Sequence, residues 1–133
     1  MITESTPLLN PHWAYSRAKI ACEELLVRAY RDDGFNMTIV RPSHTYADGS
    51  IPLSFHSPKG VFTDLMRMKE GKPIIVHGDG NTLWTVTHST DFAKGFVGLM
   101  GNIHAYGHAV HITSDESLTW NQIYESIGRA MHI

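Results

Sequence analysis

Tyr15 and Lys19 stand four residues apart in the run Tyr-Ser-Arg-Ala-Lys. On a helix that spacing puts the phenol and the ammonium on one face. A free phenol gives up its proton only near pH ~10. A cation beside it stabilises the phenolate and brings proton exchange nearer to neutral pH, which is what a general acid–base requires. The spacing alone is common on solvated helix faces, so it gains weight only from its surroundings.

Two other groupings invite chemistry and fall short of it. His104 and His108 are four apart, and His108 and His111 three apart. If Ala109–Ile112 is a strand, His108 and His111 face opposite sides. Gly107 breaks any helix on which His104 and His108 could chelate together, and no cysteine or carboxylate completes a zinc set there. No metal site is expected. Gly78-Asp79-Gly80 falls between two strand-like runs rather than between a strand and a helix, so it reads as a hairpin turn and not as a phosphate loop. No glycine-rich phosphate loop follows any early strand.

The elements that must position Tyr15 and Lys19 follow from local signals. Asn10 and Pro11 suit a helix start and Asp32-Asp33-Gly34 a stop, predicting a helix from His12 to Arg31. Met37–Val40 reads as a short buried strand ending at Arg41-Pro42. Ser43–Pro58 lacks periodicity and reads as a long loop, of the kind that often carries function. Val61, Leu65 and Met68 predict a helix within Gly60–Gly71. Ile74–Val76 and Leu83–His88 read as strands flanking the Gly78–Asn81 turn. Ser89 caps a helix running to Met100, Ala109–Ile112 is a strand, and Thr119 caps a last helix from Trp120 to Met131. Helices and strands alternate, so the class is α/β. Asp32-Asp33 and Asp115-Glu116 read as solvated turn charge.

Bulk properties narrow the setting. The chain has 133 residues, enough for one small domain. Apolar residues make up 42% and charged residues 18%, a globular composition. Eleven Lys and Arg against thirteen Asp and Glu give a net charge of −2. That argues against a broad nucleic-acid footprint. Cys22 is the single cysteine, so a disulfide framework is impossible. No long apolar run predicts a membrane span, and the acidic start, Met-Ile-Thr-Glu, is unlike a signal peptide. A reducing, cytoplasmic setting is expected.

Four motifs in order carry a resemblance. Thr3-Glu4-Ser5-Thr6-Pro7 with Asn10-Pro11 precedes Tyr15-x-x-x-Lys19. Thr38-Ile39-Val40-Arg41-Pro42-Ser43-His44-Thr45-Tyr46 follows. Then come Gly78-Asp79-Gly80, Val86-Thr87-His88 and Asp91-Phe92-Ala93. Together they resemble the extended short-chain dehydrogenase/reductase family, the NAD-dependent epimerases and dehydratases. The resemblance implies the C-terminal part of a Rossmann-like parallel sheet plus a small substrate-side α/β subdomain, with residues 1–133 forming one partial domain. It implies that Tyr15 transfers the proton, and that Lys19 stabilises its phenolate and hydrogen-bonds the nicotinamide ribose. Pro42, Ser43 and His44 would lie near the nicotinamide, and His44 near the substrate as well. The implied activity is that of an NAD- or NADP-dependent epimerase, dehydratase or oxidoreductase acting on a hydroxyl of a sugar or nucleotide sugar. The alternative is a non-catalytic relative that binds a sugar or a nucleic acid.

The resemblance also implies parts that this sequence does not show. The glycine-rich Rossmann half is not encoded, and the family's catalytic Ser or Thr would precede Met1. The chain therefore reads as a piece of a longer enzyme, inactive and without bound cofactor by itself. Family members acting on nucleotide sugars carry an arginine seven residues before the helix-opening aspartate, where this chain has Trp84 before Asp91. Tryptophan cannot make the bidentate phosphate contact of arginine. It can stack on a sugar or base, or fill core. Ala14, Ala18, Ala21 and Leu25 form a small-residue stripe. It suits packing on the chain's own sheet or, as the resemblance implies, a helix bundle across a homodimer axis. His88 is expected to be a satisfied buried group before its helix.

Overall fold

The computed structural model describes residues 3–53, 60 and 62–133. The chain forms two compact units: Met1–Pro42 with Lys94–Ile112, and Ser43–Ala93 with Thr113–Ile133. The class is α/β with parallel strand pairs, as the alternating pattern predicts.

The first unit is built on α1, Ala14–Asp33. It ends where Gly34 adopts a left-handed φ of 68°, a conformation that glycine reaches without strain. The Phe35 N–H reaches back to the Ala29 carbonyl at 3.1 Å. The start differs from the expected His12. The Asn10 side chain accepts from the backbone N–H groups of His12 (3.1 Å) and Trp13 (3.0 Å). That turn around Pro11 delays the helix, whose cap position falls to Trp13 with no side-chain bond.

Strand β1, Ile39–Pro42, runs parallel to β5, Ala109–Ile112, pairing Ile39 with Ala109 and Arg41 with His111. The ladder begins two residues later than expected. Met37 is occupied first, its carbonyl accepting from the Gly107 N–H at 2.8 Å. Pro42, which has no N–H to donate, closes the strand. Met37 and Ile39 are both buried, while the Thr38 hydroxyl donates to the Ala105 carbonyl. Gly107 has a φ of 77°, and a Cβ there would sit 2.5 Å from the Tyr30 ring.

Within the second unit, β2, His44–Tyr46, pairs in parallel with β4, Val86–His88. This strand lies inside the stretch expected to be a loop, whose residues 54–58 are outside the described ones. The expected strand Leu83–His88 is two. β3, Leu83–Trp84, pairs antiparallel with β6, Leu118–Thr119, before the chain turns to a different partner at Val86. The Gly78–Asn81 turn is therefore not a hairpin. Ile74–Val76 forms no ladder with the described residues: Ile74 and Val76 pack on the core and Ile75 is 70% exposed. It keeps the in-and-out alternation of a strand. α2, Thr63–Lys69, lies within its expected range, and Val61 is outside the described residues.

Helix α4, Trp120–Ala130, starts at Thr119 as expected, with a complete capping box. The Thr119 hydroxyl accepts from the Gln122 N–H, and the Gln122 side chain accepts from the Thr119 N–H. Trp120, Ile123 and Tyr124 join Leu53 and Leu65 in this unit's core. Helix α3, Ser89–Leu99, opens right after β4.

Candidate active site

In the first unit, Tyr15 and Lys19 sit on the opening turns of α1. The Lys19 ammonium lies 5.5 Å from the centre of the Tyr15 ring, within cation–π reach. Tyr15 is 57% exposed, so its hydroxyl is open to an incoming group. The Trp13 ring flanks it at 4.9 Å between centroids. Nothing in the spacing of Tyr15 and Lys19 pointed to Trp13. An aromatic two residues ahead, at the cap position, was the available signal. The pair is thus a cation and a phenol side by side on an accessible face.

The lower part of the same helix is tied down by charge. On α1, Glu23 receives Arg41 of β1 through Nε at 3.1 Å to both carboxylate oxygens and through Nη2 at 2.5 Å. The Glu23 side-chain hydrogen bonds hold the Arg41 guanidinium above its ordinary pKa. Arg41 Nη1 also donates to the Glu4 carbonyl at 3.2 Å. The Glu4 carboxylate in turn accepts from the His111 N–H of β5 at 3.1 Å. Its own backbone N–H and that of His111 lower the Glu4 pKa.

Pro42 ends β1 in the first unit, and Ser43 and His44 open the second. The Ser43 hydroxyl is 3.0 Å from the hydroxyl of Thr87, a buried residue on β4. Thr87 Oγ1 also accepts from the Ser114 N–H at 2.9 Å. Thr87 entered the sequence reading only within Val86-Thr87-His88, with no role of its own, because one threonine in a short strand carries no pattern. His44 lies edge-on to Trp120, with centroids 6.4 Å apart, and Trp84 leans on the same ring at 5.7 Å. The structure therefore brings His44 and Trp84 together around Trp120. Trp84 is 44% exposed and is not a core filler.

His88 is satisfied before its helix as expected, but it is half-buried rather than buried. Its Nδ1 lies 2.8 Å from the Thr90 hydroxyl and its Nε2 3.3 Å from Asp48. An open cleft of about 780 Å³ in this unit is lined by Tyr46, Asp48, His88 and Arg129 among others. Neither His44 nor Trp84 lines it. The cleft is open and its lining is mostly apolar, with Ile51, Leu65, Leu118 and Ile127 among it, so it does not by itself define a reaction. Among the described residues no group of three histidine, cysteine or acidic side chains could hold a metal, and no helix is long and apolar enough to cross a membrane.

A nicotinamide dinucleotide can be tested against these side chains. The Lys19 ammonium and the Tyr15 hydroxyl offer donors to a ribose. For a pyrophosphate the described residues offer no fit. Among the described residues the direct strand-to-helix junctions are His88–Ser89 and Thr119–Trp120, and neither carries the glycines that let a backbone cradle phosphate.

Parallel-stranded α/β architecture with tyrosine and lysine on one helix face is the pattern of the extended short-chain dehydrogenases/reductases. Residues 2–112 match the NAD dependent epimerase/dehydratase family, and the chain belongs to it. It is 28% identical over 130 residues to the 2'-dehydrokanamycin reductase of Streptomyces kanamyceticus, a match that covers 98% of this chain and 36% of that protein. It is 26% identical over 114 residues to the chloroplast stem-loop binding protein of 41 kDa b from Arabidopsis thaliana, covering 86% of this chain and 28% of that one. The fold is shared with the dTDP-glucose 4,6-dehydratase of Bacillus anthracis, solved in complex with NAD. The TM-score is 0.77 at 21% identity, over 98% of this chain and 40% of that one. The chain thus spans about a third of the length of the curated relatives it matches.

Proposed function

We propose that this chain is the acid–base and substrate-side portion of an NAD(P)-dependent enzyme that epimerises, dehydrates or reduces a sugar. The observation that carries the reading is the Lys19 ammonium set against the accessible Tyr15 phenol on one face of α1, in a chain of this family. Tyr15 Oη takes or returns the proton of the substrate hydroxyl, and Lys19 holds the phenolate and binds the nicotinamide ribose. When bound, the nicotinamide supplies the hydride chemistry. Pro42, Ser43 and His44 border it, and His44 and Trp84 contact the sugar ring.

The pyrophosphate half belongs, in this reading, to a longer polypeptide. The short span relative to the curated relatives supports this, as does the poor fit of the described residues to a pyrophosphate. A homodimer through α1 and a reducing cytoplasmic compartment go with the same reading. The exposed stripe of Ala14, Ala18 and Ala21 supports the first, and the single exposed thiol, Cys22, the second.

A second reading, a nucleic-acid-binding relative without catalysis, draws on the likeness to the stem-loop binding protein. The net charge of −2 weighs against it, since phosphate backbones are bound through basic surface. The test is turnover of the full-length protein with NAD⁺ and dTDP-glucose, and with NADPH and 2'-dehydrokanamycin, before and after Tyr15→Phe. A loss of about 10²–10⁴-fold is expected. A folded variant that keeps its turnover refutes the assignment, and gel-shift binding of a stem-loop RNA without turnover selects the second reading.

A further inference from the structure

No residue of α1 is buried. Its apolar side chains are at most partly covered, so shape complementarity does little to fix its rotation against β1 and β5. Apolar contact is non-directional and tolerates sliding and turning. Directional bonds must set the angle. The Arg41 guanidinium supplies them, engaging both Glu23 carboxylate oxygens through Nε and Nη2. A planar guanidinium bound in this way constrains orientation as well as distance.

Both partners are about four-fifths covered, with side-chain exposures of 19% and 20%, so water competes less than at an open surface pair. Arg41 is itself held on both sides. Its backbone is registered against His111 in the β1–β5 ladder, and its Nη1 donates to the Glu4 carbonyl. The Glu4 carboxylate is bonded to the His111 N–H. Strand, preceding segment and helix are thus joined by one polar network. Glu23 lies four residues beyond Lys19 and eight beyond Tyr15, so the network grips α1 near the face that carries them.

We infer that Glu23, Arg41 and Glu4 form a clamp that sets the rotation of α1 on its sheet and so aims Tyr15 and Lys19. The three are positioning residues, and their catalytic consequence rests on the acid–base reading proposed above. Breaking the clamp leaves the distance between Tyr15 and Lys19 unchanged, because both ride on one helix. It changes where the pair points.

Cys22, exposed on α1 next to Glu23 and the single cysteine of the chain, offers a natural reporter. A nitroxide attached there broadens backbone amide signals of β1 and β5 according to its distance from them. The parent chain is expected to give one sharply graded pattern. Glu23→Gln and Arg41→Met should each blur it across both strands, with circular dichroism unchanged, and the double variant should blur it no further. A purely stabilising ion pair would lower the melting temperature and leave the pattern alone. Such a result, in folded variants, overturns the clamp. If Glu23→Gln does not fold, Glu4→Ala, which removes the acceptor of the His111 N–H, makes the same test from the other end of the network.

In the full-length enzyme Glu23→Gln should lower kcat by about tenfold to a hundredfold, the scale of a small misplacement, with KM little changed. Should Tyr15→Phe prove harmless while the nitroxide pattern still blurs, the acid–base reading fails and the orienting clamp stands. Should Tyr15→Phe abolish turnover while Glu23→Gln leaves turnover and pattern intact, the clamp alone fails.

Discussion

Replacing Thr87 with Val tests whether a buried hydroxyl holds the start of the second unit together. Thr87 is 3% exposed, and valine has nearly its shape, so the change creates no cavity and isolates the hydroxyl. Two bonds disappear: the one accepted from the Ser114 N–H at 2.9 Å and the one shared with the Ser43 hydroxyl at 3.0 Å. The two losses differ in kind. Ser43 is half-buried and its hydroxyl can turn to water. The partly buried Ser114 N–H is fixed by the backbone and loses its acceptor. Stranding a buried donor costs about 1–3 kcal/mol, so Thr87→Val should destabilise by that amount although it adds apolar surface.

Thr87→Ser is the control. It keeps both bonds and loses one buried methyl group, about 1 kcal/mol. Chemical denaturation gives the two free energies, and amide hydrogen exchange at Ser114 separates their causes. Exchange should quicken in the valine variant and stay slow in the serine variant. A valine variant within about 0.5 kcal/mol of the parent, the range of an inert surface change, with Ser114 exchange unaltered would refute the reasoning.

Three further outcomes are expected. Titrated with NAD by calorimetry, the isolated chain should show no saturable binding tighter than about 100 μM, or roughly −5.5 kcal/mol, because the described residues hold no pyrophosphate cradle. Light scattering after size exclusion should find the chain self-associated at tens of micromolar and Ala18→Arg monomeric, since Ala18 lies exposed on α1; a monomeric parent refutes the association. The Asp79 carboxyl, which accepts first from the Asn81 N–H and then from its side chain, is held below the ordinary 3.8. A depressed folded pKa means that this turn's stabilisation is present above the ordinary value and is lost as pH falls through the depressed one. Carbon NMR should show Asp79 titrating below 3.8, and Asn81→Ala should move it part of the way back up.

Exposed apolar surface lies elsewhere than the residues around β1 would suggest. A strand stripped of neighbours would be expected to bare Thr38 to Val40, yet Ile39 is buried and its neighbours are half-buried. Among the described residues the apolar side chains more than 60% exposed are Leu9, Leu25 on α1, Ile75, Leu83 on β3, Val97 on α3, Met100 and Ile103.

What the sequence determined by itself is what short-range bonds determine. The Thr119–Gln122 capping box, the Gly34 stop and the common face of Tyr15 and Lys19 each depend on residues within six positions of one another. Strand β5 was legible too, as a short run with the β-branched Val110 and Ile112 between turn residues. The tertiary structure alone decided which segments found partners. His44–Tyr46 has no apolar alternation, yet it is a strand because Val86–His88 lies alongside it. Ile74–Val76 has the composition of a strand, yet it forms no ladder with the described residues. The Arg41–Glu23 pair and the Thr87–Ser43 contact were equally invisible, since each joins side chains far apart in sequence. A backbone ladder and a guanidinium–carboxylate bond need only donor and acceptor in register. That register is set by where the rest of the chain packs, and the composition of either segment does not encode it.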